Sequence, residues 1–91
     1  MHLILYSKPG CHLCEGLQEK LEQIQADPDS GCQFKLEIRD ITTREDWFNQ
    51  YQYEVPVLYQ RADETAIEQP LPRPSPRISV KQLAKQLQKA L

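Results

Sequence analysis

Cys11 and Cys14 stand two residues apart, with Lys8, Pro9 and Gly10 before them and His12 and Leu13 between them. On the first turn of a helix, this spacing brings two sulfurs close enough to close a disulfide, so the pair reads as a dithiol redox site. The chemistry needs a thiolate, and a helix N-terminus favours one. The first N–H groups there lack intrahelical partners, and the helix dipole is positive. In such surroundings a thiol pKa falls from about 8.5 into the range of roughly 3.5–7.5. Cys11 falls at the extreme end of the helix and gains most from this field; Cys14, one turn in, gains less. Lys8 adds a positive charge nearby. For His12 two readings stand side by side: an imidazolium that favours the thiolate and raises the reduction potential, or a solvent-facing residue on the first turn.

A zinc site is the main competing use of such a pair, and it usually needs four nitrogen or sulfur ligands. The third cysteine, Cys32, falls in a loop and reads as an incidental thiol. His2 begins the preceding strand, and at roughly 3.3 Å per residue it lies more than about 10 Å from the pair. No metal site is expected.

The elements that must position the pair follow from periodicity. Leu3-Ile4-Leu5-Tyr6 is apolar throughout, as in a strand buried on both faces, and its end points at the cysteine turn. A helix from about Cys11 to Ala26 presents Leu13, Leu17, Leu21 and Ile24 to the sheet and stops at Asp27-Pro28-Asp29. Phe34, Leu36 and Ile38 alternate with Lys35, Glu37 and Arg39, which predicts a half-exposed strand at a sheet edge. Thr42 and Glu45 have capping-box spacing ahead of a short helix that ends near Tyr51; Trp47, Phe48 and Tyr51 are expected to pack on the sheet. A strand over Val55–Tyr59 follows, with Pro56 at its start. Gln60–Glu64 then makes a hairpin-like connection to a weak strand at Thr65–Glu68. Pro70, Pro72, Pro74 and Pro76 predict an extended connector, and Ser79 caps a last helix buried through Val80, Leu83, Leu87 and Ala90 or Leu91. The order is β-α-β-α-β-β-α: an α/β domain with a four-stranded mixed sheet flanked by three helices.

Bulk properties narrow the class. A chain of 91 residues makes one domain, 1–91, around one core. The net charge is −2 and the basic residues are scattered, so no nucleic-acid footprint is expected. No apolar run approaches the roughly 20 residues of a membrane helix. Met1-His2 passes straight into a strand-like run without a signal-peptide pattern. Three cysteines are not a secreted disulfide framework, and a reducing, cytoplasmic location fits them.

With this order and these motifs, the chain resembles the glutaredoxin-like branch of the thioredoxin superfamily over essentially its whole length. It is particularly similar to the small glutaredoxin-like proteins of bacteria. Tyr6-Ser7-Lys8-Pro9-Gly10-Cys11-His12-Leu13-Cys14 resembles the glutaredoxin active-site segment, Asp40-Ile41 follows the second strand as in that family, and Val55-Pro56 resembles the superfamily's cis-proline site. The resemblance implies a thioredoxin fold and a thiol–disulfide oxidoreductase that reduces protein or small-molecule disulfides. It makes Cys11 the nucleophile and Cys14 the resolving thiol. It has Lys8 engage a substrate carboxylate, and Val55, beside a cis Pro56, pair with an extended substrate.

The chain departs from the family at Arg73-Pro74-Ser75-Pro76-Arg77-Ile78-Ser79, where glutaredoxins carry the Gly-Gly and polar or acidic residue that hold glutathione. Glutathione remains a candidate reductant against which this departure argues, with Arg77 as a different anion contact. No tightly bound cofactor is expected. The partner expected is a disulfide-containing protein or a small thiol, and the chain itself is expected to be monomeric. Two other roles are compatible with the resemblance: a [2Fe–2S] module that ligates a cluster through the active-site cysteine and glutathione across a dimer, and a non-catalytic adaptor.

Overall fold

The computed structural model describes residues 1–90. Strand β1 (His2–Ser7) leads into helix α1 (His12–Ala26), strand β2 (Lys35–Asp40), a 3-10 turn (Ile41–Thr43) and helix α2 (Glu45–Tyr51). Strand β3 (Val57–Arg61), strand β4 (Gln69–Pro70) and helix α3 (Val80–Ala90) complete the chain. The four strands lie in the order β2-β1-β3-β4; β1 runs parallel to β2 and antiparallel to β3, and β3 runs antiparallel to β4. This is the α/β order and mixed sheet expected from periodicity, with β2 at an edge. No helix among the described residues is long and apolar enough to cross a membrane.

The two-residue period of β1 divides the core. Leu3 and Leu5 face α1 and α3, where with Leu58 of β3 they meet Leu17, Leu21, Ile24, Leu83 and Leu87. Ile4 and Tyr6 face the other way, against Ile41 and Tyr51. All four residues are buried, so the central strand is held from both sides. Ser79 caps α3 as expected: the Gln82 amide donates to Ser79 Oγ at 3.1 Å, and the Ser79 amide donates to Gln82 Oε1 at 3.4 Å. Leu83, Ala84 and Leu87 are its buried residues and Val80 packs at their margin; Leu91 lies outside the described residues.

Four local expectations are corrected. Leu13 does not join the buried stripe of α1: it is 52% exposed, and Cys14 takes its place beside Leu17, Leu21 and Ile24. Around a helix Leu13 lies some 60° off the centre of that stripe, toward a flank it shares with Gly16 and Lys20 at i, i+3 and i+7. The Thr42–Glu45 capping box does not form. Asp40 captures Thr42 first, accepting from its amide at 2.9 Å and its hydroxyl at 2.7 Å, so a 3-10 turn precedes α2. No side chain caps α2, which starts after Arg44. The last strand is Gln69–Pro70 instead of Thr65–Glu68. Asp63 Oδ1 draws in the amides of Thr65 and Ala66 at 2.8 and 2.9 Å, and this side-chain turn takes them out of the ladder. The β3 ladder begins at Val57, after the Val55–Pro56 bond.

The polar side of β2 is only partly open to water. Glu37 and Arg39 share a sheet face with Ile4, Tyr6 and Tyr59, as the strand register requires. Arg39 forks onto Glu68 at 3.2 and 3.0 Å, bonds Glu37, and donates to the Tyr6 hydroxyl at 2.7 Å. Burial works against its charge, but the hydrogen bonds to Glu68, Glu37 and Tyr6 outweigh that and hold the guanidinium protonated. Arg61 joins the group through Glu68 and Glu37. Tyr51 is buried and Trp47 packs beside it, as expected, whereas Phe48 is exposed. Burial, followed by the Tyr59 hydroxyl at 3.1 Å, pushes the Tyr51 phenol well above the ordinary tyrosine range.

Two predictions follow from this packing. Leu21→Ala should lower unfolding free energy in urea by about 2–5 kcal/mol, while Leu13→Ala should change it by no more than about 0.5 kcal/mol. The second concerns pH. Hydrogen bonds from the Thr42 hydroxyl and amide hold the Asp40 carboxyl below its ordinary range. A carboxyl depressed by folding stabilises the native state above its unfolded pKa of roughly 3.9 and loses that contribution as pH falls through the folded value. Asp40→Asn keeps an acceptor oxygen and removes the charge, so the wild type should be the more stable above about pH 4 and the difference should fade below it. A gap that persists unchanged to pH 2 would contradict this assignment.

Candidate active site

The turn between β1 and α1 is built to deliver Cys11 to the helix end. Gly10 adopts φ +80, a left-handed conformation that side-chain-bearing residues rarely adopt. The Cys11 amide donates to the Lys8 carbonyl at 3.3 Å and closes the turn. Cys11 is then the N-cap of α1. Its extended backbone (φ −87, ψ 103) hands its carbonyl to the Glu15 amide at 3.0 Å, and its sulfur accepts from the Cys14 amide at 3.2 Å. The Cα atoms of Cys11 and Cys14 are 5.3 Å apart, and their sulfurs are joined in a disulfide.

The two sulfurs are not equivalent. Cys14 is 1% exposed and forms part of the α1 core face, whereas Cys11 is half-buried at the surface. In dithiol exchange a nucleophile must be reached by its substrate, whereas a resolving group need reach only its neighbour. The Cys14 amide would also donate to a Cys11 thiolate, and a hydrogen bond to the charged form favours that form.

The other residues singled out from sequence fall in three places. The Val55–Pro56 peptide bond is cis. Since Val57 pairs with Tyr6, Pro56 comes to the sheet end from which the cysteine turn departs. The Val55 amide is already committed to the Tyr51 carbonyl at 3.1 Å, so the pairing with an extended substrate that the resemblance implies would fall to the Val55 carbonyl. Lys8 donates to the Gln52 carbonyl at 3.3 Å, which ties the cysteine turn to the end of α2. The His12 side chain is 96% exposed, with Nδ1 3.8 Å from the Glu15 carboxylate. Arg77 is exposed and borders a separate depression with Gln82 and Lys85; the structure does not bring it to the cysteines. Cys32 is buried against α3, where its thiol donates to the Ala84 carbonyl at 3.4 Å and burial raises its pKa.

A groove of about 230 Å³ lies between α1 and the proline segment and reaches His12 and Leu13, the two residues between the cysteines. His12, Leu13, Gly16 and Lys20 form one side, Arg73, Pro74 and Pro76 the other, with Pro56 at its end. Sequence reading missed Arg73 and Lys20. Arg73 donates to the Pro56 carbonyl at 3.1 Å and to the Glu54 carbonyl, and Lys20 donates to the Pro76 carbonyl at 3.0 Å. These two cations pin the proline segment to the site. A signal was present in the lone arginine between Pro72 and Pro74, but nothing local said which carbonyls it would reach.

The X-ray structure of Northeast Structural Genomics target protein XcR50 from X. campestris is similar over 98% of this chain and 99% of its own, with 27% identity and a TM-score of 0.59. No curated protein matches the chain. The family model described as Glutaredoxin-like domain (DUF836) matches residues 2–88, nearly the full length that carries the dithiol turn, the cis-proline and the capped last helix, and the chain belongs to that family.

Proposed function

We propose that the protein is a dithiol–disulfide oxidoreductase. The observation that carries this reading is the arrangement of Cys11 and Cys14: bonded to each other at the N-terminus of α1, one sulfur reachable and the other buried. In the reducing direction the Cys11 thiolate attacks one sulfur of a substrate disulfide. A Cys11–substrate S–S bond forms, the substrate S–S bond breaks, and the departing thiolate takes up a proton. Cys14, deprotonated in its turn, attacks Cys11 Sγ. The intramolecular disulfide closes and the second substrate sulfur leaves as a thiol. Two electrons pass from the dithiol to the substrate, and an external thiol reductant restores the pair. Cys32 stays outside the cycle because its sulfur is enclosed against α3. A free thiol of this kind suits a reducing compartment, the cytoplasm in particular.

The direct test is equilibration in glutathione redox buffers of defined ratio, followed by thiol labelling and mass spectrometry. A reversible two-electron transition confined to Cys11 and Cys14 is expected; the absence of any transition across the accessible range would remove the redox reading and favour an adaptor. The role assignment has its own test. Cys11→Ser should reduce disulfide turnover to the uncatalysed background, and Cys14→Ser should accumulate a covalent adduct on Cys11. Equal turnover in the two variants would show that the roles are wrongly divided.

A further inference from the structure

The cations are scattered along the chain, but the carboxylates are not. Residues 1–68 hold all thirteen carboxylates with six of the eleven cations, a net −7, and residues 69–91 hold the other five cations and no acid. Those five, Arg73, Arg77, Lys81, Lys85 and Lys89, are all exposed. Among the described residues, Arg39, Arg44 and Arg61 each pair with a carboxylate, and none of the five does. Asp27 and Asp29 share a depression with Lys81 and Lys85, so one flank of α3 is partly neutralised. The flank toward the proline segment is not. Two adjoining depressions lie there and share Ser75 and Gln86. One, of about 440 Å³, has an aliphatic floor of Leu58, Leu83 and Leu87, with Leu71 beside it and Arg73 and Lys89 among its lining. The other, of about 430 Å³, is polar and is lined by Arg77, Gln82 and Lys85. No carboxylate lines either. We infer that this face of α3 docks an acidic polypeptide segment that carries one aliphatic anchoring side chain.

The site is distinct from the groove near the cysteines. No residue of α1 lines either depression and none of α3 lines the groove; only residues of the segment before α3 are common to both. The docking inference therefore stands apart from the dithiol reading. Charge and shape select the occupant. Four cations with no carboxylate among them attract a dense, local negative charge. The aliphatic floor rewards a side chain that leaves water there. Neither depression has an aromatic residue on which a nucleic-acid base could stack. The apolar stripe of α3, Leu83, Ala84 and Leu87, is spent in the core, so the helix has no face to lay into a bilayer. A long polyanion would also outgrow the face and meet the net −7 of residues 1–68. A short acidic segment with one anchor meets both depressions and avoids that repulsion.

The test is fluorescence anisotropy with the full chain, its disulfide closed, and labelled peptides that contain no cysteine, so the result does not depend on any redox activity. The probes are a short Glu-rich peptide with one central Leu, the same peptide with Ser for Leu, and the Leu peptide with every Glu replaced by Gln. The Glu-Leu peptide should bind about tenfold more tightly than the Ser version, the discrimination expected of an apolar pocket, and the Gln version should bind more weakly still. Raising the salt from about 0.05 to 0.3 M should weaken the Glu-Leu peptide severalfold. Lys85→Glu should weaken it by about threefold to tenfold, whereas Lys35→Glu, the same change of net charge on β2, should cost less than about twofold. Lys85→Gln, with an unchanged thermal midpoint, should fall between wild type and Lys85→Glu and so separate loss of binding from loss of fold. The inference is overturned if the Gln peptide binds as well as the Glu peptide, or if Lys35→Glu weakens binding as much as Lys85→Glu. It is equally overturned if an oligonucleotide or anionic vesicles compete as well as the Glu-Leu peptide does. Sedimentation velocity supplies the last arm: self-association that Lys85→Glu abolishes would make the occupant a second copy of the chain and overturn the inference.

Discussion

The hydrogen bond from the Cys14 amide to Cys11 Sγ is the interaction on which the site depends. A helix N-terminus needs acceptors for its first amides, and most chains supply an oxygen from Ser, Thr, Asp or Asn. Here the acceptor is sulfur, a weak one while neutral and a far better one as a thiolate. Capping the helix and favouring a Cys11 thiolate would therefore be one contact. Anything that misplaces the turn, such as a side chain at Gly10 where φ is +80, would disturb both together.

Behind that contact stands the central strand. Because β1 is packed through Leu3 and Leu5 on one face and Ile4 and Tyr6 on the other, its end is a firm platform for a turn that must hold a left-handed glycine and a disulfide. The two faces are secured by different means. α1 and α3 cover the first with aliphatic side chains. α2 is only a seven-residue helix and covers part of the second; the remainder is closed by Arg39, stacked over the rings of Tyr6 and Trp47 and forked onto Glu68. The cationic group replaces apolar cover because its edge bonds Glu37, Glu68 and Tyr6 while its face meets two aromatic rings.

Much of this architecture was legible in the residues. Element order, edge placement of β2, the dithiol turn and the Ser79 cap follow from periodicity and local spacing, which the folded chain keeps because neighbours in sequence are neighbours in space. Expectations failed where a nearby aspartate offered the backbone a better partner: Asp40 displaced the Thr42 box, and Asp63 withdrew Thr65 and Ala66 from a strand. The groove was not legible for another reason. Lys20, Pro56 and Arg73 are far apart in the chain, and their meeting depends on where the proline segment crosses α1. Leu13 misled because its spacing to Leu17 is helical and correct, while its angle around the helix sets it on the flank.

The strand order leaves two open sides, and both are guarded. On one, β4 is two residues long and ends in Pro70, which has no amide to donate. On the other, Lys35, Glu37 and Arg39 set charges along β2. A second chain that tried to extend the sheet would find a missing donor on one border and ionic groups on the other. The fold can thus keep a groove and a dithiol turn open to solvent without also offering its backbone as a template for aggregation.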